Sequence, residues 1–376
     1  MNKILLHYPT SVFVSNGEIF IADSGNHRVR KLLRNGHIVT IAGTGVKGYN
    51  GDGILATDAQ LYLPSSVFVS SSNQVYISED LGQRIRKIDQ FGIISTIAGT
   101  GEFGYNGDDQ LAVNAQLNDP CGLFVTDEEE VLFCDYENYR VRKIDRHGMI
   151  RTIAGNGDED GTSTFATSTS LKPTSVFVHK NEIYVVDYLH SQIRKIDKNG
   201  IISTIAGTGR KGYNGDDILA TSADIYIPVS VFVYNDEIYF TERESKRVRK
   251  IDRNGIISTI AGNGKGGKSG DGELAINAKL IYVQGLSVTE ESVIFVDNDR
   301  IRKINQHSGI ISTIVGTDNA GYSGDVEFDF QRYPHIGPKK KTTIKPFTYH
   351  YHDLVVKCLS LDSHYNYEPN RKKIKQ

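Results

Sequence analysis

The chain has 376 residues, with 43 lysines and arginines against 45 acidic residues and a formal net charge of −2. Residues 327–376 carry +5 and the remainder carries −7, which disfavours nucleic-acid binding because such proteins present a basic face. No run approaches the ~18 apolar residues of a membrane span, and three cysteines do not make a disulfide framework. The amino terminus lacks the apolar core of a signal peptide, so we expect a cytoplasmic protein.

The dominant pattern is a string that returns six times. It reads Thr-Ile-Ala-Gly-Thr/Asn-Gly in five copies and Thr-Ile-Val-Gly-Thr-Asp in the last, at intervals of 52 to 56 residues. The copies begin at Thr40, Thr96, Thr152, Thr204, Thr259 and Thr313. A fixed period of this length indicates one supersecondary unit copied in series, in which each copy needs its neighbours to bury its apolar face.

Each copy predicts four short strands, rich in β-branched and aromatic residues. In the second copy they are, in chain order, Val67–Val69, Val75–Ile77, the Arg-Ile-Arg-Lys-Ile run from Arg84, and Ile93–Ala98. Asn-Gly pairs such as Asn254-Gly255 supply the hairpin turns between strands. Six such units predict an all-β fold, a six-bladed β-propeller of four-stranded antiparallel blades.

The propeller is predicted to span residues 1–325. Residues 326–376 break the pattern and form a basic, irregular tail. This tail is expected to be either solvated or a cap over the repeats, and a broken seventh blade is a further alternative.

The repeated strings resemble those of a known family. Ile19–Asp23 reads Ile-Phe-Ile-Ala-Asp, Asn26–Lys31 contains Arg-Val-Arg-Lys, and Thr40–Asp52 ends in Gly-Tyr-Asn-Gly-Asp. Together they resemble NHL repeats, in the long form similar to those of the teneurin propeller. The resemblance covers about 320 residues. It implies a propeller fold, but NHL propellers bind proteins, bind RNA or occasionally act as enzymes, so it leaves the activity open.

Four copies contain Gly-x-Gly-x-x-Gly after the fourth strand, at Gly43–Gly48, Gly99–Gly104, Gly207–Gly212 and Gly262–Gly267. In a dinucleotide-binding unit this motif leads directly into a helix. Four copies in a tandem β array favour a different role, in which the glycines allow a sharp turn into a long loop.

The long loops carry the candidate binding residues. Since strand direction alternates, these loops emerge on the same side as the connections between second and third strands, which we name the loop face. The candidates are Tyr49, Asp52, Tyr105, Asp108, Tyr213, Asp216 and Tyr322. Tyrosine suits recognition because it is rigid and amphipathic. Alternatively, each loop simply folds over its own blade, and the oxygen-rich loops could also attract calcium, although none completes a known calcium motif.

A second set consists of an acid at the end of each second strand and an arginine near the start of the third. The set comprises Asp23, Arg28, Glu79, Arg84, Asp135, Arg140, Asp187, Glu242, Arg247, Asp297 and Arg300. We expect each acid to pair with the arginine five residues later, or three later in the sixth copy, and so to stabilise its hairpin. Asp187 faces Gln192 instead and is the acid expected to lack an arginine.

The sequence therefore predicts a non-enzymatic, monomeric scaffold that binds a protein or peptide through the loop face and needs no cofactor. The first alternative is a hydrolase or lyase with a divalent cation in the central channel, held by some of Asp187, Glu242 and Asp297. RNA binding is the second alternative. His27 and His190, in opposite blades, are further candidate ligands for such a cation.

Overall fold

The computed structural model describes residues 4–317 and 319–325, which belong to one compact unit. They form six antiparallel sheets arranged in a ring, and each sheet is one blade. The predicted six-bladed β-propeller is confirmed. The predicted tail, residues 326–376, lies outside the described residues.

In chain order, the strands of the first three blades are as follows. Blade 1 contains β1 (Ser11–Ser15), β2 (Glu18–Asp23), β3 (Arg28–Leu32) and β4 (Ile38–Ala42). Blade 2 contains β5 (Ile54–Leu55), β6 (Pro64–Val69), β7 (Val75–Glu79), β8 (Arg84–Ile88) and β9 (Ile93–Ala98). Blade 3 contains β10 (Gln110–Leu111), β11 (Pro120–Val125), β12 (Val131–Asp135), β13 (Arg140–Ile144) and β14 (Met149–Ala154).

The other three blades follow the same plan. Blade 4 contains β15 (Pro173–His179), β16 (Glu182–Asp187), β17 (Gln192–Ile196) and β18 (Ile202–Ala206). Blade 5 contains β19 (Ile218–Leu219), β20 (Pro228–Tyr234), β21 (Glu237–Glu242), β22 (Arg247–Ile251) and β23 (Ile256–Ala261). Blade 6 contains β24 (Val283–Val288), β25 (Ser292–Asp297), β26 (Arg300–Asn305) and β27 (Ile311–Gly316).

Three blades have a fifth strand that the sequence did not predict. In each, a two-residue segment of the incoming long loop pairs with the outermost strand, as β5 does with β9. The helices of the described residues are single 3₁₀ turns, at Ser24–Asn26, Ala56–Asp58, Ala112–Asn114, Tyr136–Asn138, Ala166–Ser168, Ala220–Ser222 and Ala275–Asn277. None of them could cross a bilayer.

The core lies between blades rather than within them. The cluster between blades 1 and 2 is typical, because Ala22 and Val29 of one sheet pack against Val67, Ile77 and Ile94 of the next. Five similar clusters fill the remaining interfaces, including the one between blades 6 and 1. A single blade therefore exposes apolar surface that only its neighbours can cover.

The inner strands are joined around the axis by hydrogen bonds from blade to blade. The Ser66 hydroxyl accepts a hydrogen bond from the Leu123 amide at 3.2 Å, and the Ser175 hydroxyl accepts one from the Val231 amide at 3.2 Å. Where glycine replaces this serine, at Gly122, an added Cβ would lie 2.6 Å from the Thr174 carbonyl oxygen. The small residue that recurs at this position is therefore needed for close packing at the axis.

Five phenylalanines form an aromatic collar along the inner strands of blades 1 to 5. They are Phe13, Phe68, Phe124, Phe177 and Phe232, with successive ring centroids 4.4 to 5.1 Å apart. Each lies near the end of its inner strand, away from the loop face. Blade 6 has Ser287 at this position, and its hydroxyl accepts a hydrogen bond from the Val14 amide at 3.2 Å. The collar is therefore interrupted at one blade.

The Gly-x-Gly motifs make tight turns, and no helix opens from them. Gly99 has a φ of +94°, and an added Cβ would lie 2.1 Å from the Gln83 carbonyl oxygen. At Gly101 an added Cβ would overlap the Arg84 guanidinium, 2.1 Å away. The first glycine thus permits the turn, and the second leaves room for an arginine.

Candidate functional site

The acid at the end of each second strand is buried in an ion pair. In blades 1, 2, 3 and 5 its arginine differs from the predicted one, whereas in blade 6 the predicted Arg300 does pair with Asp297. The Glu79 carboxylate lies 2.9 Å from Arg86, seven residues later, rather than pairing with Arg84. The pattern recurs as Asp23 with Arg30 at 3.5 Å, Asp135 with Arg142 at 3.1 Å and Glu242 with Arg249 at 2.9 Å. In blade 6, Asp297 contacts both Arg300 at 2.9 Å and Arg302 at 3.1 Å.

The arginine five residues after the strand-end acid, which was predicted to pair with it, has another role. Although the backbone of Arg84 lies opposite Glu79, its guanidinium donates to the carbonyls of Gly82 and Thr100, both at 2.9 Å. It also lies 4.0 Å from the centre of the Tyr49 ring. Arg28, Arg140 and Arg247 repeat this contact with a loop tyrosine. The prediction that Arg28, Arg84, Arg140 and Arg247 pair with the strand-end acids was therefore wrong, because the next arginine on the same face of the strand occupies the carboxylate.

The tyrosine and aspartate of the long loops before blades 2, 3 and 5 attach each loop to the blade that follows it. Tyr49 donates its hydroxyl hydrogen to Asp52 at 3.1 Å, and Asp52 accepts from Arg86 of blade 2 at 2.8 Å. Asn50 closes the loop by accepting from the Gln60 amide at 2.7 Å. Asp108 and Asp216 likewise bind Arg142 and Arg249, each at 2.8 Å, beside Tyr105 and Tyr213. We call this arrangement the loop clamp.

The loop clamp leaves part of each candidate residue accessible. Tyr49 is 43% exposed, and Tyr105, Tyr213 and Tyr322 are exposed to a similar degree. The aspartates are partly exposed as well, but their carboxylates already bind arginine. The repeated tyrosines and aspartates thus have an internal structural role, whether or not a partner contacts their exposed edges.

The last loop clamp joins the two ends of the ring. Asp325 lies 2.9 Å from Arg30 of blade 1 and accepts hydrogen bonds from the amide and hydroxyl of Thr40. The Tyr322 ring lies 3.9 Å from the Arg28 guanidinium carbon. The Gly321 amide donates to the Leu6 carbonyl at 2.9 Å. Blade 6 is therefore fastened to blade 1 by the same device that connects consecutive blades.

Blade 4 lacks the loop clamp because the loop before it carries Asp158–Gly161 instead of the Tyr/Asp motif. Asp187 was predicted to lack an arginine, but Arg194 lies 3.5 Å away. His190 also binds Asp187, at 2.8 Å, and this hydrogen bond raises the pKa of the imidazole. Asp187 is thus buried between an arginine and a histidine.

His27 and His190 do not act together as the sequence suggested, because His27 is bound at the start of blade 2 and His190 is bound by Asp187 of blade 4. His27 accepts a hydrogen bond from the Leu63 amide at 3.2 Å. Burial, with nearby Lys47, lowers the pKa of His27 to about 4. Within residues 4–317 and 319–325, no group of three histidine, cysteine or acidic side chains is placed to hold a metal ion. Glu242 and Asp297, proposed as cation ligands, bind arginines instead.

The blades differ from one another at the loop-face end of the central channel. The differing side chains come from two positions in each repeat, the residue after the second strand and the residue just before the first-strand motif. The first position is occupied by Ser24, Asp80, Tyr136, Tyr188, Arg243 and Asn298, and the second by Tyr8, Leu63, Asp119, Lys172, Ile227 and Tyr282. We call this set, with Gln284 of β24, the channel mouth.

Acidic groups lie on one side of the channel mouth. The Asp80 and Asp119 carboxyl groups, from blades 2 and 3, lie within hydrogen-bonding reach of each other. Gln83 holds Asp119 in place, accepting from its amide at 2.8 Å and donating to its carboxylate at 3.2 Å. Burial and then the neighbouring Asp119 charge raise the pKa of Asp80 well above its ordinary value. The pair is therefore expected to share a proton.

Aromatic and cationic groups complete the channel mouth. Lys172 lies 4.7 Å from the Tyr136 ring and 3.3 Å from the Glu137 carboxylate. Tyr136 and Tyr188 are in edge contact at 6.1 Å. Across the channel, Arg243 of blade 5 lies over the Tyr282 ring at 4.5 Å. Since blades 2 and 5 are opposite in a ring of six, the acidic pair that includes Asp80 lies across the channel mouth from Arg243.

The residues that repeat in the sequence do not reveal the channel mouth. In a propeller, a residue present in every copy serves the geometry that every copy shares. Asp80, Asp119 and Arg243 each occupy a position that varies from copy to copy. This variation at two positions next to the inner strand was the available signal.

Comparison with known proteins agrees with the geometry. A family profile described as NHL repeat matches residues 6–32, and one described as Teneurin NHL domain matches residues 263–326. These matches cover the start of blade 1 and, at the other end, blade 6 with its final loop. Both ends of the propeller therefore match models of NHL repeats. The predicted resemblance is confirmed.

Relatives of this propeller are large proteins. Teneurin-4 from Homo sapiens is 27% identical over 285 residues, which cover 64% of the chain and 10% of the relative. Protein SUPPRESSOR OF QUENCHING 1, chloroplastic, from Arabidopsis thaliana is 27% identical over 332 residues, which cover 81% of the chain and 31% of the relative. The chain thus spans a third or less of these relatives.

A solved structure shows that the fold alone does not specify the activity. A gluconolactonase from Xanthomonas campestris superimposes with a TM-score of 0.54 at 11% sequence identity, covering 82% of the chain and 86% of that structure. At this identity the likeness concerns the fold only. Function has to be argued from the side chains at the channel mouth.

Proposed function

We propose that the chain is a non-enzymatic binding scaffold that recognises a protein or peptide through its loop face, centred on the channel mouth. One observation carries the proposal: the side chains of the channel mouth differ in every blade, whereas those of the loop clamps repeat. Asp80 and Asp119 lie on one side, Arg243 on the other, and tyrosines between them. Because its charged and aromatic groups are placed asymmetrically, this surface can fix the orientation of a complementary partner, as specific recognition requires.

The loop tyrosines, predicted as binding residues, are expected to supply contact area but not specificity. The exposed ring edges of Tyr49, Tyr105 and Tyr213 surround the mouth and offer rigid contact area. Their repetition makes them unsuited to distinguish one partner from another. Specificity is therefore assigned to the channel mouth, and the loop tyrosines supply area around it.

The hydrolase or lyase alternative has one observation in its favour. Burial raises the pKa of Asp80 and of Asp119, and a raised carboxyl pKa is a property that general acid–base catalysis uses. Cysteine chemistry is disfavoured, since the hydrogen bond with Cys134 and burial raise the pKa of Cys121 well above its ordinary value. A stoichiometric divalent ion in the purified protein would favour the enzyme. RNA binding remains the weaker alternative because residues 1–326 carry −7.

The test compares two double variants of the full chain. Asp119→Asn with Lys172→Gln alters the channel mouth, and Lys180→Gln with Arg253→Gln alters turns on the opposite face. Partners captured from cell extract by the unaltered protein should be lost with the first variant and retained with the second. A captured partner is then purified and its Kd measured against all three proteins. If the mouth variant binds it as tightly as the unaltered protein, the proposal is wrong.

A monomeric state and a cytoplasmic location stay predictions. Mass measurement of the purified chain by light scattering checks the first. Imaging of the full-length natural protein checks the second.

A further inference from the structure

Arg243 differs from the other deeply buried arginines of the propeller. Arg86 is fully buried and contacts two carboxylates, those of Glu79 and Asp52, at 2.9 and 2.8 Å. Arg243 is only 7% exposed, yet within residues 4–317 and 319–325 it forms no ion pair with a carboxylate. Its guanidinium donates to the Gln284 side-chain oxygen at 3.0 Å and lies over the Tyr282 ring. Its positive charge is therefore not neutralised by the described residues.

A buried charge without a counter-ion is unfavourable, because desolvation is not compensated by an opposite charge. This charge lies at the channel mouth, where a ligand that approaches the loop face would bind. Phenol groups lie near it: Tyr8 is linked to Gln284 and Tyr282 by hydrogen bonds of 3.3 Å, and Tyr136 is close enough for the Arg243 charge to influence its hydroxyl. Burial raises the pKa of Tyr8 and of Tyr136, so both keep their protons. The Tyr136 hydroxyl can donate to a ligand directly, and the Tyr8 hydroxyl can do so by turning its hydrogen away from Tyr282. These are the features of an anion site.

We propose that Arg243, together with Tyr136 and Tyr8, binds a carboxylate of the partner that the loop face recognises. This inference rests on the proposed function. A single guanidinium matches a single negative charge, and bidentate pairing with a carboxylate is the favoured geometry of arginine. Asp119 and Glu137 on the facing side would repel an ion of higher charge such as a phosphate. The carboxylate comes either from an acidic side chain or from a chain terminus.

Three short peptide probes distinguish the sources, tested with the full chain by titration calorimetry. The first is acetyl-trialanine with a free carboxyl terminus, the second is acetyl-Ala-Glu-Ala amide, and the third is acetyl-Ala-Gln-Ala amide. One of the first two should bind at least about tenfold more tightly than the third, because a charge-assisted bond is roughly twice as strong as a neutral one. The probe that binds identifies the source.

Two variants locate the binding. Arg243→Gln should reduce the affinity for the preferred probe at least about tenfold. Arg210→Gln, which removes an exposed arginine elsewhere on the loop face, should leave it unchanged. Equal binding of all three probes to the unaltered protein, or no binding at all, overturns the inference without needing any variant.

Thermal unfolding of the ligand-free protein gives an independent measurement. Arg243→Met should leave Tm unchanged or raise it, because an uncompensated charge is removed. Arg249→Met should lower Tm, since it leaves Glu242 buried without its cation. If Arg243→Met lowers Tm as much as Arg249→Met does, Arg243 is structural and the inference is wrong. If the carboxylate probe binds but the mouth double variant still binds the captured partner, the carboxylate site stands and the proposed function fails.

Discussion

His27 illustrates how a single side chain couples this fold to pH. It follows the first 3₁₀ turn with a φ of +51° and accepts a hydrogen bond from Leu63, so the fold uses its neutral form. Its pKa falls from 6.5 to about 4, chiefly because it is buried. Between these values the unfolded chain binds one more proton than the folded chain, and stability therefore decreases as the pH falls.

We predict that His27→Asn removes this dependence. Asparagine tolerates the left-handed backbone and can still accept from Leu63. Between pH 6.5 and 4, the free energy of unfolding of the unaltered protein should fall more steeply than that of the variant, by about 1 kcal/mol per pH unit. Urea unfolding at several pH values measures the difference. Parallel curves for the two proteins would show that His27 is not the titrating group.

Side-chain partners were the part of the site that sequence could predict least. The spacing of Glu79 and Arg84 correctly placed their backbones opposite each other, but Arg84 turns to Tyr49 and the Thr100 carbonyl. Two arginines on one face of a strand compete for one carboxylate. The outcome depends on a loop tyrosine about 35 residues earlier in the chain, a contact that no local pattern contains.

The loop clamp is the element that gives each long connection a defined position. Asp52 receives hydrogen bonds from Arg86, Tyr49 and the Thr96 hydroxyl, so one carboxylate ties the loop to two strands of blade 2. Asp52 is partly exposed, and without it Arg86 would still pair with Glu79. Removing the Asp52 carboxylate should therefore loosen the loop more than it destabilises the fold.

We predict that Asp52→Asn costs about 1 kcal/mol or less in the free energy of unfolding and increases amide hydrogen exchange across residues 45–64. Asp58→Asn, an exposed change in the same loop, serves as the control and should alter neither quantity. Unchanged exchange in the Asp52 variant would mean that Asn50 and the short strand β5 hold the loop without it.

Strands were easier to predict than loops for a physical reason. The four-strand blade follows from alternating apolar residues and Asn-Gly turns, which are local signals. The short strands β5, β10 and β19 carry no such signal, because their pairing with the outer strand depends on where the loop clamp holds the loop.

At the scale of the whole molecule, closure of the ring depends on contacts rather than on chain connectivity. Asp52 lies in a loop that continues covalently into blade 2, whereas Asp325 connects blade 6 to blade 1 only through side-chain and backbone bonds. The two aspartates make the same kind of ion pair at similar distances. They therefore form a matched pair for testing closure.

We predict that Asp325→Asn destabilises the propeller more than Asp52→Asn and makes unfolding less cooperative. Loss of the closing contact lets the terminal blades separate before the others, as in open repeat arrays. Equilibrium unfolding in urea should show a lower midpoint and a smaller m value for the Asp325 variant. Identical curves for the two variants would show that the core between blades 6 and 1 closes the ring by itself.

The aromatic collar sets a depth limit for anything that enters the propeller. A polar group arriving through the tyrosine-lined entrance finds hydrogen-bonding partners there, but farther in it meets the hydrocarbon faces of Phe13, Phe68 and their neighbours. A polar group that loses its water against those rings gains no hydrogen bond in return. Ser287 interrupts the row of rings, but its hydroxyl is buried against the Val14 amide. A partner is therefore expected to insert only a terminal or loop residue into the channel, while the rest of it stays on the loop face. The channel then acts as a shallow pocket and is not threaded from end to end.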